Sequence, residues 1–125
     1  MTDLHHVVLP NRCVVSVLGD DAAEFLQELI TNDMELVSRD RAIYAALLTP
    51  QGKFLHYFFV MAAENGFYLD CEHQRRQDLI TRLSRYRLRA QVDIQDSGTE
   101  FEIYALTGSD VMARLGLTGE EGAAT

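Results

Sequence analysis

The sequence contains few of the residues and motifs that mark metal centres, phosphate-binding loops or hydrolase active sites. It has only two cysteines, Cys13 and Cys71, and four histidines, and they show no Cys-x-x-Cys or His-Glu-x-x-His spacing. Gly19 lacks the companion glycines and the downstream lysine of a phosphate-binding loop. No serine or cysteine has the setting of a nucleophile elbow. The residues therefore indicate no metal site, phosphate loop or hydrolytic triad built from this chain alone.

Long apolar runs and a targeting leader are also missing. No apolar run reaches the roughly 20 residues that a membrane-spanning helix needs. The first six residues have neither the basic start and apolar stretch of a signal peptide nor the Arg-rich composition of a transit peptide. Cys13 and Cys71 lie in apolar, strand-like segments, which is typical of small buried residues in a reducing compartment. We expect a cytoplasmic protein with no membrane partner and no disulfide.

Basic residues are outnumbered, because 11 lysines and arginines face 19 acidic residues and leave a net charge of -8. Binding along a nucleic-acid backbone needs positive charge facing the phosphates, so we expect no direct DNA partner. The length of 125 residues and the apolar fraction of 47% are typical of one compact domain with a single core. These values predict a globular domain that does not coat nucleic acid.

The apolar pattern changes between the period of strands and that of helices along the chain. Asp21 and Glu24 resemble a capping box at the start of a helix, and Asn65-Gly66 is a hairpin signal because both residues tolerate positive φ. The pattern predicts strands over residues 14–18, 43–48, 54–61, 67–71, 92–94 and 101–106, and helices over residues 22–30, 74–88 and a short stretch capped by Ser109. The predicted fold class is α+β, with an antiparallel, ferredoxin-like sheet covered by helices.

A cluster of arginines occupies the second predicted helix and the residues after it. Asp78 is the only acidic residue nearby. Such a cluster can hold an anion, for example a polyglutamate tail, an acidic partner surface or an RNA backbone. A solvated helix face is the simpler interpretation of the same pattern. The arginines of this candidate patch are Arg75, Arg76, Arg82, Arg85, Arg87 and Arg89.

Aromatic residues are concentrated in the predicted strands between residues 43 and 71. Alternation along a strand directs successive side chains to opposite faces of a sheet, so some of these rings belong to the core and others to the second face. A mostly apolar sheet face with a few phenols and one arginine is also suited to a flat pteridine-like ring. The aromatic residues are Tyr44, Tyr57, Phe58, Phe59, Phe67 and Tyr68.

An ordered series of motifs runs from Arg12 to Asp33, continues from Tyr44 through Thr-Pro-Gln-Gly-Lys53, and includes Tyr-Leu-Asp at residues 68–70 and Tyr-Arg-Leu-Arg-Ala at residues 86–90. This series resembles the opening of the YgfZ/GcvT-like folate-binding proteins. The resemblance covers nearly the whole chain. It implies the aminomethyltransferase fold, and the segment Leu-Thr-Pro-Gln-Gly-Lys is more similar to the YgfZ branch than to the aminomethyltransferases. That branch binds folate and assists iron-sulfur enzymes, including one that modifies tRNA.

The resemblance implies a site for tetrahydrofolate or a related folate. Arg12 matches a folate-contacting position of the YgfZ type, and Tyr44 matches a pocket tyrosine of the aminomethyltransferases. Tyr57 stands where those enzymes keep an aspartate that polarises the folate amine. The further pocket positions implied are Thr49, Phe59 and Cys71. Without the carboxylate at Tyr57, no group is evident to manage a proton, so we expect binding without catalysis.

The resemblance also implies partners and domain limits. The family's Lys-Gly-Cys-x-x-Gly-Gln signature has no counterpart here, so residues 1–125 are expected to be an incomplete N-terminal folate-binding domain with a flexible tail over residues 117–125. The implied partners are folate and iron-sulfur client or assembly proteins, with a possible homodimer that buries exposed apolar surface. Two alternatives stay open: a tetrahydrofolate-dependent aminomethyltransferase, and a module that docks a partner through residues 75–89.

Overall fold

The computed structural model describes residues 5–108, 112, 115, 117 and 122–124. Within these residues the chain forms seven strands, two α-helices and short 3-10 turns at Met34–Leu36 and His73–Arg75. In chain order the elements are β1 His5–Val8, β2 Arg12–Leu18, α1 Ala22–Leu29, β3 Ile43–Leu48, β4 Phe54–Ala63, β5 Gly66–Glu72, α2 Arg76–Arg85, β6 Asp93–Asp96 and β7 Tyr104–Thr107. No helix among the described residues is long and apolar enough to cross a membrane.

The larger sheet has five strands in the order β3-β4-β5-β2-β6, and every pair in it is antiparallel. Strands β3, β4 and β5 form a meander, and β2 pairs with β5 from Arg12 opposite Glu72 to Leu18 opposite Gly66. Strands β1 and β7 form a separate two-stranded antiparallel sheet. The predicted α+β class, an antiparallel sheet with packed helices, is confirmed.

The core lies between one face of the large sheet and the two helices. Alternate residues of β2, β3, β4 and β5 enter it, as the period of two requires, and Leu79 and Leu83 of α2 are completely buried there. On β4 the alternation is strict: His56, Phe58 and Val60 are buried. The buried core of the sheet and α1 includes Cys13, Val15, Val17, Phe25, Leu26, Ala45, Leu47, Phe58, Val60, Leu69 and Cys71.

The predicted hairpin joins β4 and β5, but its two-residue turn is Glu64–Asn65, and Gly66 is the first residue of β5, paired with Ala63. Gly66 has a φ of +151°, and a β-carbon there would collide with the backbone carbonyl of Val17 on β2. Any side chain at this position would force β2 away from β5. The hairpin glycine therefore sets the close approach of β2 to the meander.

The structure corrects several predicted boundaries. Helix α1 begins after Asp21, but the predicted capping box is wrong: the Asp21 carboxylate accepts a hydrogen bond from the backbone N–H of Gln91 at 2.7 Å instead. The second helix ends at Arg85 rather than at residue 88. The strand predicted over residues 101–106 covers Tyr104–Thr107 and pairs with β1, which the sequence pattern did not indicate.

The predicted helix capped by Ser109 lies outside the described residues, apart from isolated positions. Most of the predicted tail over residues 117–125 also lies outside them. Of that tail, residues 122–124 run beside Asp40 and Ala42: the Ala42 N–H donates to Gly122 O at 2.6 Å, and the Ala124 N–H donates to Asp40 O at 2.6 Å. This short pairing places Gly122 next to the start of β3.

Candidate functional site

The face of the sheet opposite the helices carries a cluster of exposed rings, which we call the aromatic face: Tyr44, Phe54, Tyr57 and Phe59. Tyr44, Tyr57 and Phe59 are 52%, 44% and 45% exposed. The centroids of Tyr44 and Phe59 are 4.7 Å apart, and the stacked pairs Tyr44–Tyr57 and Phe54–Tyr57 are 6.0 and 5.3 Å apart. A continuous exposed apolar patch of this kind is typical of a binding surface.

Neighbouring segments cover the rest of this side of the sheet. Val14 and Ser16 on β2 are buried although they point away from the helices, because the residues after β6 fold back over them. The hydroxyl of Ser16 bonds with that of Ser97, and Tyr68 packs against Phe101 with ring centroids 4.9 Å apart. The aromatic face is the part that this covering leaves open.

An ion pair lies beside the aromatic face. Arg12 Nε donates to Asp70 Oδ1 at 2.9 Å, and another guanidinium N–H of Arg12 donates to the Asp70 backbone carbonyl at 2.8 Å. The two side chains are only 20% and 17% exposed. Burial raises the pKa of the Asp70 carboxyl above its ordinary value although Arg12 acts to lower it. The site therefore holds a partly desolvated carboxylate with one guanidinium partner.

A cleft of about 260 Å³ opens at the other edge of the aromatic face, beside β3. Tyr44 and Phe59 form one wall of it, and Arg41 forms part of another. The side-chain amide of Asn32 donates to the backbone carbonyl of Tyr44 at 3.0 Å and holds the residues after α1 against the strand. The aromatic face thus leads from the Arg12–Asp70 pair on one side to a cleft with a basic residue on the other.

Four of the predicted site residues come together on this side of the sheet: Arg12, Tyr44, Tyr57 and Phe59. Thr49 lies in the turn after β3, where its hydroxyl accepts hydrogen bonds from the backbone N–H groups of Gln51 and Lys53 at 3.2 and 3.1 Å. That arrangement gives Thr49 a role in shaping the turn.

The structure does not bring Cys71 to this group, because it is buried on the helix side of β5. Its Sγ lies 3.7 Å from Sγ of Cys13 on β2, and both residues are free thiols. A disulfide needs about 2.05 Å between the sulfurs. Burial raises the pKa of both thiols, so they are held as thiols. The sheet itself separates Cys71 from the aromatic face.

The predicted arginine patch also lies on the helix side, since α2 packs against the core face. Arg76 pairs with Asp96 at 2.9 Å and Arg82 pairs with Asp78 at 2.8 Å, while Arg75 bonds to the carbonyl of Leu55. Ion pairs therefore neutralise part of the predicted patch. The patch members without an ion pair in the described part of the chain are Arg75, Arg85, Arg87 and Arg89.

A buried histidine ties α2 to the sheet. His56 Nε2 lies 2.7 Å from Asp78 Oδ2, and burial lowers the pKa of His56 even though Asp78 acts to raise it. Neutral His56 therefore donates a hydrogen bond from its Nε2–H to the carboxylate. Arg82 and His56 together lower the pKa of Asp78. This network fixes the helix rather than forming a metal site, and no cluster of three potential metal ligands exists among the residues the structure describes.

Two residues of the site were missed from sequence. Asp70 was noted only as part of a Tyr-Leu-Asp motif, and Arg41 was not singled out. The alternation on β5 carried a usable signal for Asp70, because Leu69 and Cys71 are apolar and an intervening carboxylate must face the other side. No comparable signal pointed to Arg41, which reaches the cleft through the loop before β3.

Comparison with known proteins decides the family. The model of the GCVT N-terminal domain matches residues 12–121. This chain belongs to the GCVT N-terminal domain family. The match spans both helices, the whole five-stranded sheet and therefore every residue of the aromatic face, so the GCVT N-terminal domain and the site described above occupy the same part of the chain.

Curated relatives of this GCVT N-terminal domain carry a common description. The iron-sulfur cluster assembly factor IBA57 homolog, mitochondrial, from Pyricularia oryzae is 28% identical and covers 88% of this chain. The iron-sulfur cluster assembly factor IBA57, mitochondrial, from Homo sapiens is 31% identical and covers 81% of it. The matches cover 30% and 32% of those two proteins, so the chain spans about a third of the length of the curated relatives it matches.

A solved structure gives the same fold. The aminomethyltransferase T of the glycine cleavage system from Bartonella henselae superposes with a TM-score of 0.70 over 94% of this chain and 33% of that one. The two sequences are 21% identical, which supports a shared fold alone. The fold implied by the resemblance to the aminomethyltransferases is thereby confirmed.

Proposed function

We propose that this GCVT N-terminal domain binds tetrahydrofolate or a related folate on the aromatic face and acts in iron-sulfur cluster assembly. The observation that carries the folate part is the exposed row of rings beside the Arg12–Asp70 pair. The observation that carries the assembly part is the description shared by the curated relatives from Pyricularia oryzae and Homo sapiens.

Stacking is the physical basis of the proposed binding. Tyr44 and Phe59 are directly opposite each other on β3 and β4, and their rings are in contact. A planar heterocycle placed over them removes apolar area from water and gains about 0.5–1.5 kcal/mol per well-oriented aromatic pair beyond that area. The polar groups of Arg12 and Asp70 then orient the ring, as the few polar groups of an apolar pocket commonly do.

The proposed clients of this domain are iron-sulfur enzymes, including tRNA-modifying ones, and its other proposed partners are iron-sulfur assembly proteins. The proposed compartment is the cytoplasm, and fractionation of cells that express the tagged chain tests it.

Catalysis is not proposed, because Tyr57 occupies the position that the resemblance assigns to an aspartate. A homodimer that buries the exposed apolar edge of the chain is also proposed, and sedimentation at several concentrations checks it.

A second candidate, partner docking by the residues after α2, is favoured by one specific observation. Leu88 is 88% exposed and has a φ of +44°, a conformation that is rare for a leucine. Arg87 and Arg89 flank it. A strained, exposed apolar residue between two cations is suited to a partner surface with an acidic rim. This candidate predicts no folate dependence, so the folate titration separates the two functions.

Calorimetric titration with 5-formyltetrahydrofolate tests the folate proposal. We expect the wild-type chain to bind it, and Phe59→Ala to weaken binding about 10- to 100-fold, since base-like rings stacked on aromatic side chains gain about 1–3 kcal/mol each. Tyr86→Ala is the matched control, because Tyr86 is exposed to the same degree, 46% against 45%, but follows α2 on the helix side. Equal losses for both variants, or no binding by the wild type, would refute the proposed site.

A further inference from the structure

The aromatic face is bordered by groups of opposite charge. Phe59 is directly opposite Asp70 on β5 and directly opposite Tyr44 on β3. Because neighbouring strands are about 4.8 Å apart, the three side chains form one row across the sheet. Arg41 lies beyond the Tyr44 end of this row, in the wall of the cleft. The row therefore has an acid at one end and a base past the other.

The Asp70 carboxylate has acceptor positions free for hydrogen bonds from a ligand. Its Oδ1 and backbone carbonyl are engaged by Arg12, while Oδ2 has no hydrogen-bond partner within the described residues. A carboxylate offers about four acceptor positions, so one guanidinium N–H leaves most of them open. The side chain is largely removed from water, which strengthens any hydrogen bond it makes with a ligand.

We infer that the ligand lies across this row in one direction, with the N–H edge of its ring at Asp70 and its anionic tail at Arg41. This inference rests on the proposed function and adds the orientation of the bound folate. The ring edge of a folate presents an amino group and a ring N–H, both donors, whereas its glutamate presents carboxylates. Donors suit Asp70 and carboxylates suit a guanidinium, so the charge of the site runs in the same direction as the polarity of the ligand.

This orientation excludes the arginines of α2 as the site of the anionic tail. Arg82 and Arg85 lie on the helix that covers the opposite face of the sheet. They line a small cavity with Pro50 and Leu55 at the β3–β4 turn, so a ligand stacked on Phe59 would have to leave the row of side chains and bend around that turn to reach them. Arg41 is the basic residue that shares a cleft with both Tyr44 and Phe59.

Two ligands and two substitutions test the direction. The ligands are 5-formyltetrahydrofolate and 5-formyl-6-methyltetrahydropterin, which has the same reduced pterin ring but no carboxylate, and their dissociation constants are measured by calorimetry. Asp70→Asn is expected to weaken both about 10- to 100-fold, as hydrogen bonds to charged groups contribute about 1.5–3 kcal/mol. Arg41→Gln is expected to weaken only the glutamate-bearing ligand, by about 2- to 5-fold, as expected for an exposed ion pair.

The controls use neighbouring residues of the same type. Glu72→Gln changes another carboxylate of β5, and Arg39→Gln changes an arginine that lines a different cavity with Ala62 and Tyr68. Both variants are expected to bind both ligands as the wild type does. Thermal denaturation of each variant confirms that it is folded before its affinity is interpreted.

Any other outcome contradicts either the proposed orientation of the ligand or the proposed folate function. In the reverse orientation the glutamate would lie beside Asp70, and Asp70→Asn would then tighten binding of 5-formyltetrahydrofolate. That result, an unchanged affinity in Asp70→Asn, or an Arg41→Gln effect that is absent or equal for the two ligands, would overturn the orientation and leave the proposed folate function standing. Absence of binding of either ligand by the wild type would overturn both.

Discussion

Phe58→Ala is expected to lower the free energy of unfolding by about 3–5 kcal/mol, the usual loss for a phenylalanine truncated in a packed core. Phe58 has no exposed surface and lies under the helices. Phe59→Ala, one residue further along β4, is expected to change the same quantity by less than about 1 kcal/mol, because surface truncations usually have small effects. Urea denaturation of the two variants and the wild type measures the difference.

The contrast between the two substitutions depends only on which face each ring occupies. Phe58 contributes to the core and Phe59 to the aromatic face, so stability and ligand affinity should be lost in different variants. Phe59→Ala is predicted to keep the stability and lose folate affinity. If the two variants were equally destabilised, Phe59 would be packed in the free protein and the aromatic face would not be an open surface.

Arg12→Met is expected to destabilise the chain by about 1–3 kcal/mol at neutral pH, the cost of leaving a largely buried polar group without its partner. The Asp70 carboxylate would lose both its counter-charge and its hydrogen bond. The pair Arg76–Asp96 has the same 2.9 Å separation but more exposed side chains, 30% and 32%, and serves as the control. Arg76→Met is expected to cost less than about 1 kcal/mol, as exposed ion pairs generally do.

The effect of Arg12→Met should depend on pH in a defined direction. The pKa of Asp70 in the folded chain is raised above the ordinary 3.8 by burial, so protonation favours the folded state and the charged carboxylate opposes it. Without Arg12 this opposition grows. The destabilisation should therefore be largest near neutral pH and shrink as pH falls through the folded-state pKa toward 3.8. A loss that is constant with pH would show that Asp70 is not the cause.

The architecture was largely predictable because its strands and helices have distinct periods. The strand at residues 43–48 depends on local residues and was predicted correctly, and the hairpin after β4 was predicted with its turn one residue too late. Strand β1 was missed since His5–Val8 is short and the strand it pairs with, β7, lies about a hundred residues away along the chain. The second helix was predicted three residues too long, because its apolar pattern continues past Arg85 whereas its packing against the core does not.

The site was only partly predictable, because it is made by strands distant in sequence. The Arg12–Asp70 pair joins residues separated by 58 positions, and the burial that makes this pair matter comes from the register of β2 and β5. Cys71 was predicted to belong to the site, although strand alternation places its side chain on the other face of the sheet from Asp70. The residues after β6 cover Val14 and Ser16. This tertiary contact has no local sequence signal, and it determines which aromatic rings remain exposed to solvent.

Chemical-shift mapping of 5-formyltetrahydrofolate on the isotopically labelled chain would show directly which face of the sheet binds folate. We predict that the resonances of Tyr44, Phe59 and Asp70 shift on titration, while those of Phe58 and Leu83 under the helices do not. Shifts confined to α2 and the residues around Leu88 would place the ligand on the opposite side and contradict the proposed site. The absence of any shift at millimolar ligand would contradict folate binding by this domain.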